Sequence, residues 1–138
     1  MTWWTVIEDM LGRMREMERR VARLETLEAA QQFIMAGEPT VLTIAAGVVT
    51  VTPTKSFFYV ATEASAATDD LDTINGGVDG QIIVLHSATS AEDPTLKDYS
   101  DNLALAGDFT LDHILDSITL IYEDTLGKWL EISRSDNY

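Results

Sequence analysis

Apolar residues recur every three or four positions through the first 25 residues of this chain, and after residue 37 the apolar period becomes two. Trp3, Ile7, Met10, Met14, Met17, Val21 and Leu24 mark out heptads, with Ile7, Met14 and Val21 at position a and Trp3, Met10, Met17 and Leu24 at d. An apolar seam along one side of a helix needs a partner to bury it. The repeat therefore predicts a helix over about Thr5 to Ala36 that works as a parallel coiled-coil stalk. A single amphipathic helix lying on its own β domain and an antiparallel helix pair are the competing readings.

The charges beside the seam favour the parallel arrangement. Arg13 and Arg20 fall at g, and Glu18 and Glu25 fall at the following e positions, so neighbouring helices would meet with opposite charges. Exposed pairs of this kind contribute about 0.3–0.5 kcal/mol each and set orientation more than stability. The pattern fails at Glu28, the next a position, with Leu27 one residue early. Three heptads would give a stalk of about 30–45 Å, marginal without help from elsewhere in the chain. Thr2 or Thr5 can cap its start, Thr5 with Glu8 as a capping box, and Gly37 with Pro39 ends it. Phe33, Ile34 and Met35 are expected to fill the junction between stalk and head.

The division is thus 1–36, stalk and anchor, and 37–138, a β head. VLTIA and VVTVT flank Ala46-Gly47 as a tight hairpin would, and SFFYVAT and QIIVLHS follow as strands. PTLKDYS and NLALAG read as short strands, DFTLDHILD is ambiguous, and SITLIYE and KWLEISR make a final hairpin around Asp124 to Gly127. Eight or so short strands with frequent turns predict an antiparallel β-sandwich or jelly-roll-like head. No internal repeat is visible.

Net charge is −14, and it is unevenly spread. After residue 35 only Lys55, Lys97, Lys128 and Arg134 oppose 17 acids. Such a surface repels phosphate backbones and anionic lipid, which argues against nucleic acid as a partner. The start, MTWWTVIEDM, has no basic region and reaches Glu8 and Asp9 quickly, so no signal peptide is expected, and VLTIAAGVVTV is too short for membrane insertion. The chain has no cysteine, which removes disulfides, thiolate metal sites and cysteine nucleophiles.

Catalytic patterns are weak. His86 and His113 match no metal-ligand spacing, although one histidine per chain could meet its copies on a symmetry axis. No G-x-S-x-G elbow, P-loop or dinucleotide glycine pattern occurs, and GGVDG reads as a turn. Asp69, Asp70, Asp72, Asn75 and Asp79 form the densest acidic stretch, expected as an exposed loop and a head contact surface. It lacks the spacing of an EF-hand. Trp3 sits in the seam and Trp4 points away from it, a pair suited to docking on another protein. No cofactor and no enzymatic activity are expected.

TIAAGVVTVT, ATDDLDTINGGVDGQIIVLHSA and NLALAGDFTLDHILDSITLIYEDTLGKWLEISRS resemble a small β module of tailed-bacteriophage and prophage virion proteins, the terminal head of tail fibres, tailspikes and minor structural proteins. The resemblance covers residues 42–135, with PTKSFFYVATEAS and EDTLGKW longer than the module's usual turns. It implies a homotrimer. The heptads alone do not, since β-branched a residues with Leu at d lean towards dimers and Met adapts to many packings. The expectation is therefore a virion structural protein, made in the host cytoplasm: a short trimeric fibre or decoration protein. Its amino terminus would meet a capsid, neck or tail protein and its head a host-surface glycan or protein. A cement or adaptor without host contact, an oligomeric glycan-processing enzyme and a cytoplasmic assembly factor are the alternatives.

Overall fold

The computed structural model describes residues 2–30 and 38–137, and the side chains of all of these except 26–30. It is mainly β, with one amino-terminal helix, and it divides into two compact units, residues 1–31 and 32–138. The expected stalk boundary at 36/37, the helix end, the Phe33–Met35 junction and the side chains at Leu27 and Glu28 lie outside the described residues.

Helix α1 spans Trp3–Ala30. It starts two residues before the expected Thr5. Thr2 is the cap: its Oγ1 accepts from the Thr5 amide at 3.4 Å and lies 2.9 Å from the Thr5 hydroxyl. The cap residue's partner three positions on is therefore Thr5, and the Thr5–Glu8 box does not form. Good helix formers dominate the interior. Gly12, the exception, falls on the face opposite the seam, where a missing side chain leaves no hole in a packed surface.

The second unit is a short parallel β-solenoid closed by an antiparallel hairpin. Its strands are β1 (Thr40–Thr43), β2 (Val48–Thr50), β3 (Phe57–Ala61), β4 (Thr68–Leu71), β5 (Thr73–Asn75), β6 (Ile82–Ser87), β7 (Asp93–Leu96), β8 (Leu103–Ala104), β9 (Phe109–Thr110), β10 (Ser117–Glu123) and β11 (Lys128–Ser135). β1, β3 and β6 stack in parallel on one side, β4 and β7 on a second, and β2 and β5 on a third. Val48 pairs with Thr73 and Thr68 with Asp93, 25 residues apart, whereas Thr40 pairs with Phe58 at 18 and Phe57 with Val84 at 27, so the turns of the coil differ in length. The hairpin β10–β11 then lies antiparallel against β6 and extends that side to six strands, in the order β1-β3-β6-β10-β11-β8.

The expected antiparallel sandwich is corrected by this pairing. Among the described residues, five of the eight strand pairings are parallel. The Ala46-Gly47 turn shows why the two architectures look alike in sequence. Both residues have positive φ, 51° and 79°, and Ala45 and Val48 exchange backbone hydrogen bonds as a two-residue hairpin turn requires. Yet β1 goes on to pair with β3, and β2 with β5. The turn is a corner of the coil. The final hairpin, by contrast, forms as the sequence predicts.

Inward residues of the sheets make one core, centred on Trp129, Phe58, Ile74, Leu85, Leu96 and Ile118, each essentially inaccessible. The third side of the coil has only two strands, and side chains complete it. Asn102 Oδ1 accepts from the Ile74 amide at 3.0 Å and its Nδ2 donates to the Ile74 carbonyl at 2.8 Å. Trp129 Nε1 donates to the same carbonyl at 2.9 Å. One amide side chain thus stands in for the next strand and satisfies backbone groups that burial would otherwise leave unpaired.

Candidate functional site

Taken by itself, α1 presents its whole seam to solvent. Trp3 is 82% exposed, Leu24 60%, and Ile7, the least exposed member, 41%. Met10, Met14, Met17 and Val21 lie between these limits. In proteins, helices draw most of their stability from packing an amphipathic face rather than from helix propensity. Burying a side chain such as Met or Leu contributes about 1.5–3 kcal/mol, far more than any ion pair along the edge. The exposed seam is therefore the surface from which α1 would gain most by burial.

The stripe is wider near its start than the heptads alone indicate. Leu11 is 44% exposed and falls at e, two turns along from Trp4 at e, which is 75% exposed. Half-buried Val6 falls at g. From Met14 to Glu25 the e and g positions are charged and the large apolar residues narrow to a and d. Leu11 was missed by a template that scores only a and d, and the e-position recurrence with Trp4 is the signal that finds it.

The edge arginines are held along the helix. Arg13 pairs with Asp9 at 3.2 Å, and Arg20 with Glu16 at 3.3 Å. Both contacts are exposed and four residues apart, a spacing that steadies a helix by a few tenths of a kcal/mol. They leave each guanidinium at the seam's margin, where the interhelical pairing with Glu18 and Glu25 would compete with them.

The acidic stretch is not the loop the sequence suggested. Asp69 and Asp70 lie in β4, Asn75 ends β5, Asp72 stands between those strands, and Asp79 sits in the following turn. Several of these carboxylates hold the backbone. Asp69 Oδ2 accepts from the Glu63 amide at 2.8 Å and Asp79 Oδ1 from the Asp124 amide at 3.1 Å. Among the described residues no three metal-capable side chains converge on a point where an ion could sit. The glycines nearby are structural. A Cβ at Gly77 would lie 2.7 Å from Trp129 and 2.8 Å from Tyr122, so the strand end closes on those rings only without a side chain.

The histidines have separate surroundings. His86 lies in β6 against Phe57 and Tyr59, with ring centroids 5.1 Å and 6.3 Å away, both edge to face. Burial holds its imidazole below the ordinary value, against the opposing effects of a hydrogen bond to the Ile114 backbone and of the Asp116 charge. His113 Nδ1 accepts from the Leu115 amide at 3.2 Å in the turn before β10. Buried Asp116 closes that turn: Oδ2 accepts from the His113 amide at 2.9 Å and Oδ1 from the Asn137 amide at 2.8 Å. The neighbouring Asp112 carboxyl is pushed up, chiefly by its hydrogen bond to Asp116. At the other edge the Arg134 guanidinium, 2.6 Å from Glu131, holds that carboxyl below the usual range and lies 4.7 Å over the Phe109 ring.

No protein-family model matches the chain, and no curated protein matches it. No helix among the described residues is long and apolar enough to cross a membrane.

Proposed function

We propose that this chain is a self-associating display protein, a homotrimer whose parallel helices form a short coiled coil and carry one acidic β head each. The observation that carries the reading is the exposed a/d stripe from Trp3 to Leu24. The second half of α1 argues for a coiled coil in particular. Between Met14 and Glu25 the large apolar residues hold only a and d, the width of a coiled-coil seam and narrower than the face a helix lays on a globular core.

The setting we propose is a tailed-phage virion, in which the chain is a short fibre or decoration protein. Support comes from the likeness of residues 42–135 to fibre-head modules, from the stalk-and-head order, and from an acidic head suited to dense display without aggregation. The role is binding, with weak head contacts multiplied by linkage of the copies. The host-surface ligand would meet the exposed rims of the coil, where Asp70 and Asn75 lie. Trp3 and Trp4 with Leu11 make the broad end of the stripe the natural dock for a capsid, neck or tail protein. Deleting residues 1–6 tests that arrangement: incorporation into particles is lost while the purified chain keeps its oligomeric mass. Normal incorporation of the deletion variant would defeat it.

A further inference from the structure

The six-stranded side of the coil has an outer face that its strands do not explain by themselves. Alternation puts Phe58, Val60, Ile83, Leu85, Ile118 and Leu120 inward, all buried. The residues between them point outward and ought to be polar if that face met water. Instead the register builds rows in which apolar and aromatic side chains outnumber the polar His86, Ser117 and Thr119. Tyr59 pairs with His86 and His86 with Ser117, Phe57 with Val84 and Val84 with Thr119, and Ile82 with Ile121. Val41, 53% exposed, continues the first row beside Tyr59, and Leu130 continues the last beside Ile121. SFFYV and QIIVL are thus near-continuous apolar runs, the signature of strands covered on both faces.

Resting on the oligomer proposed above, we infer that this face is a second homotypic interface, where the heads of copies joined through α1 pack on one another around Phe57, Tyr59, Val84 and His86. Charge selects the occupant. The part of the chain after residue 35 has 17 acids and four cations, so two heads repel over most of their surface. These rows contain no carboxylate, and Glu123 beyond the last of them is the register partner of Lys128. A basic partner would be drawn to the acidic surface elsewhere, whereas another copy can approach closely here. Area agrees with a tethered contact. Six strands about 4.8 Å apart and some five residues long offer on the order of 400 Å² per copy. That is about half of what an independent stable interface buries on each partner. The face is thus too small to join free heads and sufficient for heads that a stalk already holds at high effective concentration.

The chain's lack of cysteine gives a clean test. Val84→Cys places a single thiol in the centre of the face, and Thr68→Cys places one on the exposed outer side of β4. Each full-length variant is treated with a short bifunctional thiol cross-linker, and its mass is followed by light scattering. With both variants oligomeric, cross-linked chains should form about tenfold faster through V84C than through T68C, an advantage that linkage of the copies supplies. Val84→Asp in a chain carrying His86→Cys should abolish the cross-link and leave the oligomeric mass intact. Equal cross-linking of V84C and T68C in an oligomeric chain overturns the head interface and leaves the coiled coil standing. A monomeric mass for all variants overturns both.

Discussion

Two residues show how closely the head is fitted. Gly77 sits against Trp129 and Tyr122, and the Trp129 ring cannot retreat, because it is fully buried and hydrogen-bonded to Ile74. Gly77→Ala should destabilise the head by about 1–3 kcal/mol, the usual penalty for overpacking. A fall in the urea midpoint checks this, and an unchanged midpoint would show that the strand end can shift. His86 carries a pH dependence. Its folded-state affinity for a proton lies below that of the unfolded chain, where the ordinary value is about 6.5. Unfolding therefore takes up a proton as pH falls, and stability drops from pH 7 down through about 6.5 and then levels below the folded-state value. His86→Gln should flatten the stability profile in that window. A profile with the same slope in the variant would assign the effect elsewhere.

At the level of elements, α1 and the final hairpin were legible in sequence because their signals are local. The heptads name the seam residue by residue, and alternation in SITLIYE and KWLEISR sets which face is buried. The solenoid was not legible. Its repeat is geometric and uneven, with register partners 18, 25 or 27 residues apart and only scattered identities such as Leu71 with Leu96. Ala46-Gly47 has a hairpin's turn chemistry but joins strands that belong to different sides of the coil. Which strand a residue pairs with is a long-range choice, decided by core residues such as Ile74 and Trp129 that are far apart in the chain. The acidic stretch failed for a related reason: Asp and Asn signal turns, but Leu71 and Ile74 between them are buried and pull the segment into strands. For α1 itself, Met14→Glu with Met17→Glu should dissociate the oligomer and lower helical circular dichroism. Each substitution removes about 1.5–3 kcal/mol of burial per chain. Head strands should retain their amide protection. Retention of the oligomer by the double variant would move the interface away from α1.

On the scale of the whole molecule, the proposed self-association would have to overcome charge. Each copy brings −14, and gathering copies concentrates that charge. Raising ionic strength should therefore tighten the oligomer, since screening weakens repulsion among heads and hardly touches apolar burial. Whether the stripe from Trp3 to Leu24 is buried between identical chains is read from the molar mass of the purified full-length chain at micromolar concentration. The expected light-scattering mass is three times 15.2 kDa. A folded species of 15.2 kDa with its helical signal intact would contradict it.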